Sequence, residues 1–173
     1  MPVLITPSAD LYSAWVEAHS EWGPGAHEDG FGLLPSDDVD SVAGFESWVA
    51  RLTAASVEGG DGRCSYRWIV EGDRVLGAIA LRHGTSDFVQ RVGHIGYGIR
   101  PSARRRGVAT WALGEIIVEA GSAGMSRVLA VCAAENLGSV KTIEHHGGVL
   151  ESIQDTELGP ARRYWIRVGE PGA

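Results

Sequence analysis

GHIGYGIRPSARRRG, residues 93–107, continues into VATWALGEIIVEAG, residues 108–121, and this run is the most informative part of the chain. Ile95, Tyr97 and Ile99 share one parity, which predicts a strand over 94–100. Pro101 ends that strand, because proline cannot donate to a β-ladder. Apolar residues at helical spacing after Gly107 predict a long helix. The run therefore indicates a strand, a tight basic turn and a helix.

The basic turn, residues 104–107 and hereafter the arginine turn, has the composition of an anion-binding site. A helix N-terminus presents backbone N–H groups without intrahelical partners and carries partial positive charge, so phosphate groups bind there. Gly107 has no side chain to keep a ligand from the backbone, and arginine supplies planar donors. The other interpretation is a solvated cluster of arginines on an ordinary connection.

The sequence of the turn, RRRGVA at Arg104–Ala109, resembles the Q/R-x-x-G-x-G/A signature of the GNAT family of N-acetyltransferases. Ile99-x-Pro101 matches the end of the family's central strand, and Asn136 falls where the family carries a characteristic asparagine. The run looks especially like a bacterial branch with an HIGYxIRPSxRxxGxA stretch, followed by N-x-x-S and IExxGG. The resemblance is specific over residues 75–168.

This resemblance implies the GNAT fold: one α/β domain whose mixed, mostly antiparallel sheet is splayed between two parallel strands, 94–100 and 127–133. It also implies an acetyl-CoA site, with the pyrophosphate on the arginine turn. The residues expected to bind acetyl-CoA are Ile99, Arg104, Arg105, Arg106, Gly107, Val108, Ala109, Thr110, Asn136 and Ser139. The N–H groups of residues 105–110 would hold the pyrophosphate. Asn136 could instead be a plain helix N-cap.

Two residues are candidates for the general base that deprotonates the amine. His94 falls where related acetyltransferases often carry Glu, and an imidazole has a pKa suited to this role at neutral pH. It could equally be a structural histidine bonded to a neighbouring strand or loop. Glu28, with its neighbour Asp29, could serve as base or recognise the positive charge of the amine. No second group at a suitable spacing accompanies His27–Asp29, so no metal is expected.

The general acid is the point where the chain departs from the family. Many members carry a tyrosine in the helix after the asparagine, and Ile143 occupies that position here. His145 or His146 could substitute. A thiolate can also leave unassisted, because a thiol with a pKa near 8.5 is a fair leaving group.

Composition limits the class of protein. With 173 residues and 44% hydrophobic content, the chain is expected to form one domain, with a substrate side over 1–60 and an acetyl-CoA-binding core over 65–168. A net charge of −7 argues against nucleic-acid binding. Neither a membrane span nor a signal peptide is apparent, which predicts a cytoplasmic protein with free thiols.

The remaining elements follow from turn signals and periodicity. We expect a first strand at 3–5, helices over 11–21 and from about residue 37, a hairpin of strands 65–71 and 75–82, a loop over 83–90, a short helix after Asn136, and strands 149–153 and 162–168. Val42 is assigned to the buried face of the second helix. Edge strands at the C-terminal end are compatible with a homodimer.

Three functions agree with these observations. The first is transfer of an acetyl group from acetyl-CoA to a primary amine of a small molecule, by direct attack in a ternary complex. The second is the same reaction on a peptide or protein amine. The third is a non-catalytic acyl-CoA sensor, which the absence of tyrosine at Ile143 favours.

Overall fold

A computed structural model describes residues 1–23 and 29–169, which form a mixed seven-stranded sheet with helices on both faces. The strands are β1 Val3–Ile5, β2 Cys64–Glu71, β3 Arg74–Arg82, β4 Ile95–Ile99, β5 Arg127–Ala133, β6 Val149–Thr156 and β7 Gly159–Arg167. The helices are α1 Tyr12–Ser20, α2 Val42–Val57, α3 Asp87–Val92, α4 Val108–Ser122 and α5 Leu137–His145. The expected single-domain α/β fold is confirmed.

The order of strands across the sheet is β1-β2-β3-β4-β5-β7-β6. All neighbours are antiparallel except β4 and β5, which are parallel and joined by the α4 crossover. Their only register pair is Ile95 with Ala130, so the two strands separate after Ile95. The sheet is therefore splayed beside the residues that follow on β4, as expected.

Each face of the sheet carries its own hydrophobic core. On one face, α4 and α5 pack through residues such as Leu113, Ile116 and Ile143. On the other, α1 and α2 cover an aromatic cluster made of Trp15, Phe31, Phe45, Trp48 and Trp68. Helices therefore cover both faces of the sheet on either side of the splay.

Three sequence predictions about elements are wrong in detail. The segment expected to be a loop over 83–90 leads into α3, whose N-cap Ser86 accepts a hydrogen bond from Val89 N–H. The second helix begins at Val42, since Ser41 caps it, and the carboxylate of Asp38 accepts from the Ser41 hydroxyl. Val42 is 56% exposed, because it lies in the first turn outside the aromatic cluster.

Within residues 1–23 and 29–169, none of the helices is both long and apolar enough to cross a membrane.

Candidate functional site

The arginine turn is shaped by two residues with positive φ. Gly107 caps α4 at φ 75° without a side-chain hydrogen bond, and Arg105 has φ 60°. The first bond of the helix runs from Trp111 N–H to Gly107 O at 2.9 Å. The N–H groups of residues 108–110 therefore have no intrahelical acceptor, and a Cβ placed on Gly107 would meet no atom within 4 Å. The turn presents open donors beside empty space, as anion binding requires.

The three arginine side chains of the turn differ in what they contact. Arg104 donates through Nε to the Ile99 carbonyl at 2.9 Å, and its guanidinium lies 5.3 Å from the Trp22 ring centroid. Arg106 donates to Glu71 Oε2 at 2.7 Å. Arg105 is exposed and has no ion pair in the described part of the chain. Two of the arginines thus hold the turn in place, and the third extends from it.

A buried arginine just before the turn fixes its position against α1. Arg100 is fully buried and donates to Val75 O at 3.1 Å and to Glu17 Oε1 at 2.6 Å. It also pairs with Glu21, which in turn accepts hydrogen bonds from the N–H and hydroxyl of Ser102. The hydrogen bond from Arg100 lowers the pKa of Glu21 to about 2. This network is not apparent from the sequence, since nothing in the spacing of Glu17 on α1 and Glu21 at its C-cap singles out Arg100.

The cleft between β4 and β5 begins where their pairing ends and leads toward the turn. Arg100 N–H donates to Leu76 O on β3, so the N–H of Ile99 points the opposite way, into the cleft. On the far side, Asn136 caps α5 by accepting from Ser139 N–H at 3.1 Å. The helix-capping interpretation of Asn136 is thereby confirmed. Binding of acetyl-CoA by Asn136 and Ser139 stays a prediction.

His94 lies at the closed end of the cleft, before the strands separate. Its Nδ1 accepts from Leu129 N–H at 2.9 Å, and its Nε2 lies 3.1 Å from the Gly84 carbonyl oxygen. Burial of the ring lowers the pKa of His94 and so favours the neutral form. Both ring nitrogens are hydrogen-bonded to backbone groups, as expected for a structural histidine. This geometry does not support a catalytic role for His94, which stays a prediction.

The second candidate base, Glu28, lies outside the described residues. Its neighbour Asp29 is described and lies on the α1–α2 face of β4. A Cβ on Gly98 would come within 2.8 Å of Asp29 O, and one on Gly30 within 2.5 Å of Ala78 O. The segment 29–30 is therefore seated directly on strands β3 and β4.

Of the three positions considered for a general acid, Ile143 has no polar group and His146 is already hydrogen-bonded. Ile143 is part of the core beneath α5, and His146 Nε2 lies 2.7 Å from the Thr110 carbonyl oxygen. His145 is exposed. In the described ranges, no group of three His, Cys, Asp or Glu side chains could hold a metal ion.

The site is thus a donor-rich helix N-terminus at the mouth of a cleft between two parallel strands. The family model described as "Acetyltransferase (GNAT) domain" matches residues 9–149. The chain therefore belongs to the GNAT acetyltransferases, and it is an acetyl-CoA-dependent N-acetyltransferase. Comparison with curated proteins finds no match.

Solved structures similar to the chain share its fold at low sequence identity. The microcin C7 self-immunity acetyltransferase MccE, in complex with acetyl-CoA and AMP, is 16% identical with a TM-score of 0.72, over 96% of this chain and 92% of that one. RimL, a ribosomal L7/L12 α-N-protein acetyltransferase in complex with CoA, is 13% identical with a TM-score of 0.74, over 96% and 94%. An acetyltransferase from Salmonella typhimurium that modifies the N-terminal serine of ribosomal protein L7/L12 is 12% identical with a TM-score of 0.71, over 97% and 95%.

Proposed function

We propose that the chain transfers the acetyl group of acetyl-CoA to the primary amine of a small molecule, by direct attack within a ternary complex. The observation that carries this proposal is the continuity of the arginine turn with the cleft between β4 and β5. A cosubstrate whose pyrophosphate binds the N–H groups of residues 105–110 can extend along β4 past Ile99, with its thioester inside the fold.

Different groups of the site would contact different parts of acetyl-CoA. Arg105 would pair with the pyrophosphate, while Arg104 and Arg106, already bound to Ile99 and Glu71, would keep the turn in shape. The N–H of Ile99 would pair with a pantetheine amide as an added strand does. Asn136 and Ser139 would line the opposite wall.

On the α1–α2 face of β4, where the amine would approach, the surroundings favour a small molecule rather than a folded protein as the acceptor. Segment 29–30 lies tightly on the α1–α2 face of β3 and β4, and this close packing favours a slender acceptor group on that side. Carboxylates at Glu28 and Asp29 would attract an ammonium group and lower the energy of its approach. The net charge of −7 acts in the same direction.

The test is thiol release from acetyl-CoA in the presence of polyamines, aminoglycosides, amino acids and short peptides. Each acceptor is paired with its N-acetylated form as a blank, so that only a free primary amine gives a signal. Calorimetry measures acetyl-CoA binding in parallel. We expect binding and turnover with at least one small amine.

Three other results would each change the proposal. Turnover confined to peptides would move the acceptor to an N-terminal α-amino group, the reaction named for RimL. Binding without turnover over the whole panel would favour the acyl-CoA sensor. Absence of binding would overturn the assignment of the arginine turn. The cytoplasmic location and the homodimer stay predictions.

A further inference from the structure

The central strand β4 carries one hydroxyl group, and it lies at the cleft. In the sequence IGYGI, Tyr97 stands between two glycines on the same face as Ile95 and Ile99. That face is turned toward α4 and α5. Because β4 and β5 pair only at Ile95 and Ala130, Tyr97 comes directly after the point of separation.

The Tyr97 hydroxyl is buried, and no group in the described part of the chain forms a hydrogen bond of good geometry with it, although the Ser139 and Thr142 hydroxyls of α5 lie nearby. Burial raises the pKa of Tyr97 to about 12, and the charges of the Cys132 thiolate and the Asp29 carboxylate act in the same direction. Weak hydrogen bonding with the hydroxyls of Ser139 and Thr142 on α5 acts in the opposite direction on this pKa. A buried hydroxyl without a well-aligned partner is unfavourable for folding, and at Tyr97, unlike at the unpaired indoles of the aromatic core, the adjacent cleft leaves room for a ligand to supply that partner.

The position of this hydroxyl along β4 matches the depth that a thioester would reach. Ile99 lies next to the arginine turn, and Tyr97 lies two residues, or ~7 Å, farther into the cleft. The pairing of Ile95 with Ala130 closes the cleft just beyond. In acetyl-CoA the sulfur is at the opposite end of the pantetheine arm from the pyrophosphate. With the pyrophosphate on the turn, the sulfur arrives at the deep end.

We propose that the Tyr97 hydroxyl donates a hydrogen bond to the sulfur of acetyl-CoA as the thiolate leaves. This inference rests on the proposed function. The amine nitrogen forms a bond to the acetyl carbon, the C–S bond breaks, and its electron pair remains on sulfur. The proton lost by the amine balances the CoA thiol that is released. Tyr97 keeps its own proton, because its pKa is well above that of a thiol, near 8.5.

Such a donor would take over the task that a tyrosine at position 143 performs in many GNAT enzymes. Ile143 is buried in the core and has no polar group, whereas Tyr97 approaches the same space between β4 and α5 from the strand. The hydroxyl is then unpaired in the free protein because its acceptor is the cosubstrate.

The first test compares Tyr97→Phe with Tyr164→Phe. Tyr164 is also buried in the sheet near α5, but its hydroxyl is already bonded, 3.0 Å from Glu144 Oε1. For Tyr97→Phe we expect kcat to fall by about 10- to 100-fold, in the range of a lost transition-state donor, with acetyl-CoA affinity nearly unchanged. Its melting temperature should stay equal or rise, because an unpaired hydroxyl is removed. Tyr164→Phe should lose stability and keep kcat.

A second measurement reports on the sulfur directly. The pKa of the bound CoA thiol, followed by the ultraviolet absorbance of the thiolate, should be higher by about one unit in Tyr97→Phe than in the wild type, which corresponds to tenfold in the thiolate equilibrium. A purely structural tyrosine would leave this pKa unchanged.

The proposal is overturned if Tyr97→Phe keeps the wild-type kcat and the wild-type thiol pKa. It is also overturned if the variant melts earlier and kcat falls only with the folded fraction. Failure of the wild-type protein to bind acetyl-CoA would instead refute the proposed function, so the two failures are distinguishable.

Discussion

Replacement of Gly107 by leucine should have two effects that can be measured separately: a loss of stability from backbone strain and a loss of acetyl-CoA affinity from blocking the anion site. Gly107 has φ 75°, and a left-handed conformation raises the free energy of a non-glycine residue by about 1–2 kcal/mol. In a chain of this size that lowers the melting temperature by about 2–8 °C. A Cβ at Gly107 would meet no protein atom within 4 Å, so no clash adds to the strain, and the variant should fold.

The effect on acetyl-CoA binding should be far larger than the effect on stability. A side chain in the open space before α4 would keep the pyrophosphate from the N–H groups of residues 108–110. Loss of two charge-assisted hydrogen bonds, at about 1.5–3 kcal/mol each, removes about 3–6 kcal/mol. The Kd measured by calorimetry should rise by roughly 10²- to 10⁴-fold.

Gly124 provides a matched control for this experiment. It has φ 82° and equally open surroundings, but it lies past the other end of α4, about 22 Å away along a 15-residue helix. Gly124→Leu should therefore lose the same stability and keep the wild-type Kd. The reasoning is refuted if Gly107→Leu binds acetyl-CoA as the wild type does, or if both variants lose affinity equally.

Three further predictions concern residues around the turn and the cleft. The pKa of Glu21 is lowered to about 2 in the folded state, so its stabilising effect is present above pH 4.5 and is lost as the pH falls from there toward 2. In Glu21→Gln, the free energy of unfolding measured in urea should therefore depend less on pH over that window. Asn136→Ala should lower the free energy of unfolding by about 1 kcal/mol through loss of the N-cap. A loss of acetyl-CoA binding free energy greater than this would show that Asn136 also binds the cosubstrate. His94→Ala should lower the melting temperature, because two backbone groups lose their partner, and it should leave the shape of the pH–rate profile unchanged. Loss of one limb of that profile would instead identify His94 as the general base.

The fold could be predicted from the sequence where local signals are strong. Period-two alternation in β4, Pro101 after it and the helical spacing after Gly107 together fix a strand, a turn and a helix, and the structure has all three. Asn136 is an N-cap as its residue type indicates. Helix α3 was not apparent, because a six-residue helix is too short to show periodicity.

The candidate site was harder to predict, because its decisive contacts join distant parts of the chain. His94 has a residue type suited to catalysis, but Leu129 and Gly84 occupy its nitrogens, and neither partner can be inferred from the sequence near His94. Tyr97 alternates with Ile95 and Ile99, a pattern that indicates a strand and assigns no further role to the hydroxyl. Only the separation of β4 from β5 shows that its hydroxyl reaches a cleft.

Unpaired polar groups of the arginine turn and of the cleft follow one line, and that arrangement argues for one ligand. It begins at the free N–H groups of residues 108–110, continues past the cleft-facing N–H of Ile99 and ends at the buried hydroxyl of Tyr97. The backbone strain at Arg105, a non-glycine residue with φ 60°, lies at the same end as the N–H groups. Folding leaves such groups unpaired at a loss of stability, and proteins keep them where function requires them. A single elongated molecule, anionic at one end and with a thioester at the other, would pair with all of them at once.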